Sequence, residues 1–595
     1  MNRSFFPSID KSIFFENSGG TQPPIQVIES LNKFITNSYL QPGGYSTKSI
    51  CVTEMLNESQ NFLNMLINNK KGKIVLGNSA SQICLNVSNS YNFKKNDEII
   101  LSSFSHESSI GPFTRVDGVK CYYWNLTKDS KLDTDQLLSM INNNTKLLVI
   151  PHVSNLLGNV YDIKTIVNLV KKKNNNVKIY VDGVAYLAHK LIDVDDLNVD
   201  FYVISLYKFL GLRISMLYIK SDIISTMKNI NHYFISDPVN RLQLGGVCYE
   251  LCSSILGIRK YFCDWLNKDN LSRTDIVKIY SDIRIHEKNL ISYFDNKFNN
   301  LLNSNLKLLT DKDNERVPIF SIYSDTIDIE IITLFLNQNG IECKSGNFYS
   351  KRILDIHCIS SVLRISLCHY NSLQELDKLF DLLCQFTPFK SKLVDYKLVN
   401  TPLSEYVKKS FDNLVLDKYY KNERYKRFSL VDIEKFLVVG SSIFMQNKKY
   451  NKFLGNIPRK YQNIDSTLLN DESFRSLLKT FSIYINANEN KCKYVYIHQI
   501  RVNIYPNQKI DAVPEGIHQD GYQYVCICSV FQQNIICPYN EIYNYEKKLI
   551  ESILLKPHNS LIMNDKKYFH NVTPINNDDQ LNLGYRDIFV ITTIK

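Results

Sequence analysis

The sequence lacks the features that would place the chain in a membrane or in an oxidising compartment. No two of the 14 cysteines are separated by two residues, and their spacing is irregular, which excludes a C-x-x-C redox or metal motif. The segment that begins at Met1 has no long apolar core of the kind that signal peptides carry. No apolar run approaches the roughly 18–20 residues that cross a bilayer. We therefore expect a cytoplasmic protein with reduced thiols and no membrane partner.

A cluster of positive charge is also missing. The net charge is +11, from 70 basic and 59 acidic residues, but the lysines are scattered among asparagines and isoleucines. A nucleic-acid surface concentrates its basic residues on one face, so we expect no nucleic-acid partner. An apolar content of 44% with 22% charged residues is typical of a globular protein. The chain of 595 residues is too long to fold around a single hydrophobic core. We therefore expect it to divide into roughly two to four domains.

The most specific motif lies near the end of the sequence. His518 and Asp520 are separated by one residue, and His570 follows fifty residues after the aspartate. Two imidazoles and one carboxylate form the facial triad that holds Fe(II) on one side and leaves positions open for a cosubstrate and oxygen. Zinc prefers a closed tetrahedral site. The motif predicts these three residues as the ligands of an iron centre, whereas His498 and His558 are expected to be non-ligands.

Short alternating strands surround these ligands. They suggest a double-sheet jelly roll, a common container for iron. Arg586 follows His570 by sixteen residues on a late strand, where it can bind the far carboxylate of 2-oxoglutarate while the keto-acid end of that molecule chelates iron. The predicted strands are Val495–His498, Arg501–Ile504, Val525–Ser529, Ser560–Met563 and Ile588–Ile591.

Residues 415–595 resemble the 2OG-Fe dioxygenase family that includes free amino-acid hydroxylases. The resemblance rests on the nearly intact segments Pro514–Gly521, His570–Ile575 and Gly584–Asp587. It implies that Fe(II) is the metal, that 2-oxoglutarate and O2 are cosubstrates, and that a small-molecule amino acid is hydroxylated. It also implies that Arg586 binds the 2-oxoglutarate.

The first two-thirds of the chain has a different pattern. From about residue 70 to 220, β-branched runs alternate with helical patterns, which indicates crossover units and a mostly parallel sheet. Ligands bind outside the carboxyl ends of such strands. The candidate strands are Lys73–Leu76, Glu98–Leu101, Lys146–Ile150, Lys178–Val181 and Phe201–Ile204.

Polar residues follow three of these strands. Gly77–Ser81 follows the first, Asp182 the fourth and Lys208 the fifth. Backbone N–H groups at a helix start, with two hydroxyls beside them, form an anion site. Pyridoxal 5′-phosphate (PLP) requires such a set, namely an amine for its aldehyde, a carboxylate for its pyridine nitrogen and a loop for its phosphate. A buried Asp–Lys ion pair and a serine that only caps a helix stay open as structural alternatives.

Residues from about 10 to 385 resemble class V, cysteine-desulfurase-like PLP enzymes of the aminotransferase type I fold. This fold is α/β, with a mostly parallel sheet and a small α+β domain. The matching segments follow the family's order. They are Phe15–Gly20, Gly77–Ser81, Ser105–Glu107, His152–Gly158, Asp182, Ser205–Lys208 and Val362–Asn371.

The resemblance implies a role for each matching residue. Lys208 would be the catalytic residue that holds the cofactor. Arg364 would bind the substrate carboxylate with the planar fork of donors that lysine lacks, and Asn17 would also contact the substrate. Gly246 would reach the phosphate of a neighbouring subunit, so a homodimer is expected. The other implied cofactor-binding residues are Ser79, Ala80 and Ser81 at the phosphate, His106 on the ring, Asn155 near the phenolic oxygen, Asp182 and Ser205.

One departure from the family limits the reaction. Desulfurases need a cysteine on a mobile loop, and the similar segment Lys344–Ser350 has Tyr349 at the aligned position. A phenol with an ordinary pKa near 10 does not replace a thiolate. Cys343 and Cys358 are expected to be packing thiols, so persulfide transfer is disfavoured.

The amphipathic pattern Leu373–Phe380 predicts a last helix, and the chain changes character after it, near residue 390. We predict a PLP domain over residues 1–390, a linker over 391–414 and a dioxygenase domain over 415–595. The basic and aromatic stretch Lys418–Phe428 is expected to be an amphipathic strand or turn rather than a nucleic-acid surface.

The presence of a PLP-enzyme pattern and a dioxygenase pattern in one chain predicts a bifunctional enzyme that modifies an amino acid. One activity is PLP-dependent chemistry at Cα or Cβ, of a lyase or aminotransferase type, and the other is Fe(II)/2-oxoglutarate-dependent hydroxylation. Two alternatives stay open. One is a cysteine desulfurase or selenocysteine lyase fused to an oxygenase, with Cys343 as the acceptor. The other is a non-catalytic PLP-fold scaffold for a hydroxylase.

Overall fold

The chain forms two compact units, Met1–Phe386 and Thr387–Lys595. The structure is a computed structural model, and it describes residues 3–9, 12–301, 305–311, 313–327, 329–386, 396–420, 423–451, 453–486, 492–511, 513, 515–577, 579 and 581–594. The predicted domain boundary near residue 390 lies outside the described residues. Among the described helices, none combines the length and the apolar character that crossing a membrane requires.

The first unit alternates strands and helices along most of its length. Its strands are β1 (Ile13–Phe14), β2 (Gly72–Gly77), β3 (Glu98–Ser102), β4 (Lys120–Trp124), β5 (Thr145–Pro151), β6 (Lys178–Asp182), β7 (Phe201–Ser205), β8 (Ser215–Lys220), β9 (Leu306–Leu309), β10 (Ile319–Ser324), β11 (Ile341–Glu342), β12 (Lys344–Gly346) and β13 (Val362–Ser366). Its helices are α1 (Ile25–Asn37), α2 (Thr47–Leu66), α3 (Ala80–Ser90), α4 (Glu107–Ile110), α5 (Thr134–Met140), α6 (Ile163–Lys173), α7 (Val194–Leu197), α8 (Ser221–Ile224), α9 (Pro238–Leu242), α10 (Tyr249–Leu266), α11 (Arg273–Asn299), α12 (Ile329–Gln338), α13 (Lys351–Ile356) and α14 (Leu373–Gln385).

A seven-stranded sheet forms the centre of this unit, in the order β2-β8-β7-β6-β5-β3-β4. The pairs from β7 to β4 are parallel, and β8 is antiparallel to both of its neighbours. All five residues of β7 are buried, because apolar clusters cover both faces of the sheet. The prediction of a mostly parallel sheet is confirmed, and all five candidate strands lie in it. The sequence pattern does not predict β4 and β8.

A smaller sheet, in the order β12-β13-β10-β9, follows in the chain. One face packs against α11, α12 and α14 in a single apolar cluster that includes Phe294, Leu336 and Leu379. Helix α14 begins with a capping box between Ser372 and Glu375, which satisfies N–H groups that the helix itself cannot use. The predicted helix over residues 373–380 is therefore confirmed.

The second unit is mainly antiparallel sheet. Its helices are α15 (Glu405–Lys409) and α16 (Glu472–Asn486). Its strands are β14 (Tyr396–Asn400), β15 (Arg424–Asp432), β16 (Leu437–Val438), β17 (Ile443–Phe444), β18 (Arg459–Lys460), β19 (Tyr494–Ile504), β20 (Lys509–Ile510), β21 (Tyr524–Gln533), β22 (Ile535–Ile536), β23 (Tyr539–Tyr543), β24 (Leu549–Leu554), β25 (Asn559–Asn564), β26 (Phe569–Val572), β27 (Ile575–Asn577) and β28 (Gly584–Thr593).

The main sheet of this unit has the order β14-β25-β21-β28-β19-β15-β16. Successive side chains of a strand point to opposite faces. On β28, Phe589 and Ile591 pack in one cluster with Phe474 and Leu477 of α16. The alternate residues of β28, which begin at Arg586, face the other side and line a cavity. The described residues of this unit also form two three-stranded sheets, β20-β27-β22 and β24-β23-β26, and the two-stranded sheet β17-β18.

Two sequence predictions need correction here. Part of the predicted linker 391–414 is a strand, because Tyr396–Asn400 pairs with β25 at the edge of the main sheet; residues 391–395 lie outside the described part. The predicted strands Val495–His498 and Arg501–Ile504 form one continuous strand, β19. Both neighbours, β15 and β28, pair along it and hold the intervening residues extended.

Candidate functional sites

Lys208 and Asp182 lie at the carboxyl ends of neighbouring parallel strands. Asp182 is the last residue of β6, and Lys208 ends the short 3-10 turn that follows β7. The two carboxylate oxygens of Asp182 accept hydrogen bonds from the Ser109 hydroxyl at 2.6 Å and from the Val184 N–H at 3.0 Å. Within the described residues, Lys208 and Asp182 do not come within the 4.0 Å of an ion pair. The alternative of a buried Asp–Lys pair is therefore disfavoured.

Burial changes the acidity of both groups. It lowers the pKa of Lys208 to about 8, with the positive charge of Arg364 acting in the same direction and Asp182 opposing it. Burial also raises the pKa of Asp182, although its two hydrogen bonds and the charge of Lys208 oppose this shift. A lysine with a pKa near neutrality keeps part of its amine uncharged, and only the uncharged amine is a nucleophile.

The loop after β2 forms one end of the same cavity. The hydroxyl of Ser79 caps α3 by accepting a hydrogen bond from the Gln82 N–H at 3.1 Å. The first turn of α3 presents N–H groups that the helix cannot use, and these attract anions. The cavity has a volume of about 70 Å³. The predicted residues that line it are Ser79, Ala80, Ser81, His106, Asn155, Asp182, Ser205 and Lys208.

His106 stands between this cavity and a larger one. Its Nδ1 accepts a hydrogen bond from the Ser108 N–H at 3.1 Å at the start of α4. Burial lowers its pKa to about 3, with Lys208 and Arg364 adding to the shift. The imidazole is therefore neutral at physiological pH, and its flat face can pack on an aromatic cofactor. The second cavity, of about 780 Å³, shares His106, Asn155, Tyr207 and Lys208 with the first.

Arg364 lines the larger cavity from strand β13. It is buried, and its Nη1 donates a hydrogen bond to the Asn155 carbonyl at 3.2 Å. Its Nε has no hydrogen-bond partner in the described part of the chain. The ring of Phe348 lies 3.8 Å from the guanidinium. Burial lowers the pKa of Arg364 to about 10, so the group remains charged and suits a carboxylate.

The loop that follows β12 closes over these residues. Asn155 holds it, because its Nδ2 donates to the Phe348 carbonyl at 3.0 Å and its Oδ1 accepts from the Ser350 hydroxyl at 2.9 Å. Phe348 and Tyr349 have φ values of 49° and 57°, a left-handed region that costs energy in bulky residues. Tyr349 is exposed at the cavity and packs on His106, with ring centroids 5.2 Å apart.

Neither thiol near this loop is placed for sulfur transfer. Cys343 is buried in the apolar cluster of the smaller sheet, lines neither cavity, and has its pKa raised to about 12 by burial. Cys358 is exposed, and it too lies outside both linings. No disulfide bond joins any of the 14 cysteines, all of which lie in the described residues.

Two predicted residues lie outside the cavities. The side chain of Asn17 donates to the Ser366 carbonyl at 2.8 Å and accepts from the Tyr370 hydroxyl. Its amide therefore braces the start of the chain against β13, and the predicted contact of Asn17 with a substrate stays a prediction. Gly246 is exposed and lines neither cavity of its own chain. Its predicted role concerns a neighbouring subunit and stays a prediction.

The three predicted iron ligands converge in the second unit. The ligand atoms of His518, Asp520 and His570 all lie within 4.8 Å of one another. The Nε2 atoms of the two histidines are 3.7 Å and 3.6 Å from the carboxylate oxygens of Asp520. Nδ1 of His518 donates to the Gly516 carbonyl at 2.8 Å, which leaves Nε2 free to bind a metal. Two nitrogens and one oxygen in this geometry fit Fe(II).

Asp565 supports the ligands from behind. Its carboxylate accepts hydrogen bonds from the N–H groups of Asp520, Gly521 and Tyr522 at 2.9, 2.7 and 3.0 Å. One of its oxygens lies 3.7 Å from Nδ1 of His570. Burial, followed by the charge of Asp520, raises the pKa of Asp565 to about 7. A carboxylate behind a metal-binding histidine fixes the orientation of the ring.

Arg586 faces the same cavity as the three ligands. It is buried, and its Nε and Nη2 have no hydrogen-bond partners among the described residues. Burial lowers its pKa to about 10, so the guanidinium remains charged at physiological pH. An unpartnered buried guanidinium is costly unless an anion binds it. The far carboxylate of 2-oxoglutarate fits this requirement.

The cavity contains further charged residues that the sequence patterns did not assign. Arg424, Lys426, Arg459 and Glu515 all line it. Arg424 and Lys426 could have been found from the alternation of charged and aromatic residues along Arg424–Phe428, because alternate residues of a strand share a face. His498 lines the cavity as well but lies outside the cluster of metal-binding atoms. Nδ1 of His558 accepts a hydrogen bond from the Leu403 N–H instead.

Comparisons with known proteins agree with both sites. The family model for aminotransferase class-V matches residues 13–233 and 277–379, and the model for 2OG-Fe dioxygenase matches residues 408–592. The chain is 30% identical over 410 residues to an aminotransferase-like protein, FGM3, of Gibberella zeae, which covers 63% of this chain and 95% of that protein. It is 29% identical over 292 residues to the cysteine desulfurase-like protein ustD of Aspergillus flavus, covering 47% of this chain and 66% of the relative.

A solved structure supports the fold. The apo structure of cysteine desulfurase from Thermococcus onnurineus NA1 superimposes with a TM-score of 0.59 at 19% identity, over 64% of this chain and 96% of that one. At this identity the likeness concerns the fold alone. Together with the family match, it supports the predicted PLP-dependent type I fold.

Proposed function

The chain belongs to the class-V aminotransferase family and carries a 2OG-Fe dioxygenase domain, and we propose that it is a bifunctional enzyme that modifies an amino acid at both sites. Its cofactors are PLP and Fe(II), with 2-oxoglutarate as cosubstrate. The observation that carries the proposal is the presence of two complete constellations on one chain. One contains Lys208 and Asp182 beside an anion loop, and the other contains the iron ligands beside Arg586.

At the first site, the residues would hold PLP and an amino acid together. Bound PLP supplies an aldehyde that bonds to amines and a ring that withdraws electrons from the attached carbon. Lys208 would hold the aldehyde and then move the proton at Cα of the substrate, a task that suits a pKa of about 8. Asp182 would keep the pyridine nitrogen protonated, and α3 would hold the phosphate. His106 would pack on the ring, and Arg364 would bind the substrate carboxylate.

The reaction class that fits best is a lyase or transferase reaction at Cα or Cβ. Persulfide transfer is disfavoured, because Tyr349 stands on the loop where a desulfurase needs its cysteine and Cys343 is buried away from the cavities. A non-catalytic scaffold is disfavoured as well, because the buried lysine and aspartate have no structural ion pair to explain them in the described residues.

At the second site, His518, Asp520 and His570 would hold Fe(II), and Arg586 would hold the far carboxylate of 2-oxoglutarate. The bound metal supplies oxygen activation. In the overall reaction, one oxygen atom of O2 enters a substrate C–H bond as a hydroxyl. The other oxygen enters 2-oxoglutarate, which breaks down to succinate and CO2. The apolar side chains of Ile588 and Val590 line the cavity and would keep bulk water from the reacting carbon. We propose that the sheets around this site form a double-sheet jelly roll.

A homodimer is proposed for the first unit. Gly245 adopts a φ of 73°, and Gly246 beside it is exposed. This glycine turn is free to approach the phosphate of a second subunit, as the family resemblance implies. Sedimentation of the purified chain at micromolar concentration tests this proposal, and a monomer with full PLP activity would contradict it.

The proposal is tested by adding single amino acids to purified protein with Fe(II), 2-oxoglutarate and PLP. Mass spectrometry then follows both succinate formation and change at the amino group. Borohydride reduction followed by peptide mapping locates the cofactor. We expect a pyridoxyl adduct on Lys208 and amino-acid-dependent succinate formation. Absence of the adduct would contradict the proposed PLP activity, and absence of succinate would contradict the proposed oxygenase activity.

A further inference from the structure

A serine hydroxyl contacts the carboxylate of Asp182 from outside the smaller cavity of the first unit. The hydroxyl of Ser109 donates a hydrogen bond to Oδ2 of Asp182 at 2.6 Å, and the Val184 N–H donates to Oδ1 at 3.0 Å. Among the described residues, Ser109 supplies the only side-chain hydrogen bond to this carboxylate. Asp182 lines the cavity, whereas Ser109 does not. The serine therefore leaves free the space that the cofactor would fill.

Both members of this hydrogen bond are buried. Ser109 is 1% exposed and Asp182 is 5% exposed. Within the part of the chain that the structure describes, no cation comes within the 4.0 Å of an ion pair with Asp182. A carboxylate that loses water and gains no ion pair needs hydrogen bonds to stabilise its charge. A hydrogen bond to a charged acceptor is stronger than one between neutral groups, so Ser109 stabilises the ionised form of Asp182.

The acidity of Asp182 agrees with this contact. Burial raises the pKa of Asp182, and the hydrogen bond from Ser109 is the largest of the contributions that oppose the rise, ahead of the Val184 N–H and the charge of Lys208. Burial also raises the pKa of the thiol and phenol groups around this carboxylate, so these groups stay neutral. They are Cys84, Tyr180, Tyr202 and Tyr207. Ser109 thus does more than the nearby lysine to keep Asp182 charged.

Helix α4 determines where this hydroxyl lies. Ser109 stands on α4 three residues after His106, which caps the start of the helix. Residues three apart lie on the same side of a helix. Ile110 at the end of α4, and Phe113 just after it, pack into an apolar cluster with the central sheet. One short helix therefore carries both the imidazole expected on the ring of PLP and the hydroxyl that contacts Asp182.

The basicity of Asp182 decides where a shared proton lies. When a carboxylate faces a pyridine nitrogen, the proton between them rests on the more basic of the two groups. A hydrogen bond donated to the carboxylate stabilises its ionised form and makes it the weaker base. The proton then stays on the nitrogen, where it increases the power of the ring to withdraw electrons. Without Ser109, Asp182 would compete for this proton.

We propose that Ser109 is a positioning residue of the first site, which orients the carboxylate of Asp182 and keeps it ionised for the pyridine nitrogen of PLP. This inference rests on the PLP function proposed above. The hydroxyl acts through Asp182, because it lies outside the cavity. A serine with a structural role alone would affect the stability of the fold but not the protonation of Asp182.

The first test measures the protonation of Asp182 in the full-length chain before PLP is added. Infrared spectra over a series of pH values show the carboxyl bands, and the band that disappears in Asp182→Asn belongs to Asp182. Ser109→Ala should raise the midpoint of this protonation by about one to two pH units, because one hydrogen bond to the charged form is lost. Ser109→Thr keeps the hydroxyl, so its midpoint should lie within about half a unit of that of the unaltered chain.

Ser254→Ala is the matched control. Ser254 lies on α10, is as buried as Ser109, and donates its hydroxyl to the Leu251 carbonyl at 2.6 Å. It lines neither of the two cavities around Lys208. This variant loses the same chemical group from the interior of the first unit but should leave the midpoint of Asp182 unchanged. The comparison separates the contact with Asp182 from the general effect of a lost buried hydroxyl.

The second test follows the proton at the cofactor. The full-length variants are loaded with PLP that carries nitrogen-15 in its ring, and solid-state NMR measures the protonated fraction of this nitrogen. In Ser109→Ala the ratio of protonated to unprotonated nitrogen should fall by about 10- to 100-fold. Ser109→Thr and Ser254→Ala should resemble the unaltered chain. The measurement requires bound PLP but no turnover.

Two results would overturn the inference. One is a midpoint of Asp182 that is the same in Ser109→Ala as in the unaltered chain, or that moves as far in Ser254→Ala. The other is a ring nitrogen whose protonation does not change in Ser109→Ala. Either result would leave the proposed PLP function standing, provided that borohydride reduction and peptide mapping locate PLP on Lys208. Failure of PLP to bond to Lys208 in the unaltered chain would instead contradict the proposed function, and the inference with it.

Discussion

His518 and His570 hold each other through two reciprocal backbone hydrogen bonds. The N–H of His518 donates to the His570 carbonyl at 3.0 Å, and the N–H of His570 donates to the His518 carbonyl at 2.9 Å. This isolated bridge joins residues that are far apart in the sequence and sets the two imidazoles side by side, with ring centroids 4.4 Å apart. The backbone thus fixes the separation of two metal ligands before any metal binds, and only Asp520 remains to complete the triad.

The carboxylate of Asp565 should matter for metal affinity. It accepts three N–H groups from the loop that carries Asp520 and approaches His570 from behind. Replacing Asp565 with Asn removes the negative charge and exchanges one acceptor oxygen for an NH2 group. We therefore expect Fe(II) affinity to fall by about 10- to 100-fold. Anaerobic titration with Fe(II) measures this change. Glu546→Gln, at an exposed carboxylate, is the control, and equal affinities in both variants would contradict the supporting role.

Attachment of PLP should depend on pH through Lys208. The pKa of this amine is lowered to about 8, first by burial and then by the charge of Arg364. Only the uncharged amine reacts, so the attachment rate should rise with pH and level off above about 8. Removal of a positive neighbour raises an amine pKa, so Arg364→Leu should move the inflection to higher pH. Cofactor absorbance measures the rate. An inflection near the ordinary lysine value, unchanged in the variant, would argue against this environment.

Cys343 should be dispensable for the chemistry of the first site. It is buried in an apolar cluster and lines neither cavity. Replacement with Ala should leave the rate of amino-acid conversion within about twofold and should cost about 1 kcal/mol of stability through the lost packing. The unaltered chain should release no sulfide from L-cysteine beyond that of Lys208→Ala. Sulfide release that disappears in Cys343→Ala would restore the desulfurase alternative.

Gly521 should be required for the shape of the iron loop. It has a φ of +87°, and a Cβ at this position would lie 2.4 Å from the ring of Tyr450. Gly521→Ala is expected to destabilise the second unit by more than about 1 kcal/mol and to weaken Fe(II) binding. The double variant with Tyr450→Ala relieves the clash but not the backbone strain, so it should recover part of the loss. Thermal unfolding and Fe(II) titration report both effects, and additive losses would contradict the contact.

Residues fixed by local pattern could be predicted from the sequence. Asp182 and Lys208 stand at strand ends, where a parallel sheet presents ligands, and His518 and Asp520 lie in one short motif. For these the sequence position already determines the place in the fold. The hydrogen-bond partners of Asn17 could not be read from the sequence, because Ser366 and Tyr370 lie more than 300 residues away in the chain.

Features that depend on distant pairing could not be read from the sequence. Strand β14 has its partner, β25, more than 150 residues away, so residues 396–400 looked like a linker. Arg459 lies on a two-residue strand whose importance follows only from its place in the cavity. The Nε and Nη2 of Arg459 have no hydrogen-bond partners among the described residues, which is a property of the folded chain.

The most direct test of the two proposed reaction centres compares two single variants of the full chain. His518→Ala alters the iron site, and Lys208→Ala alters the PLP site. Both variants are incubated with Fe(II), 2-oxoglutarate, PLP and an amino acid that stimulates succinate formation in the unaltered chain. They are then reduced with borohydride and analysed for succinate and for a pyridoxyl adduct. We predict that His518→Ala retains the adduct on Lys208 and forms no succinate, whereas Lys208→Ala forms succinate and carries no adduct. Succinate formation that survives in His518→Ala, or an unaltered chain without an adduct on Lys208, would contradict the account.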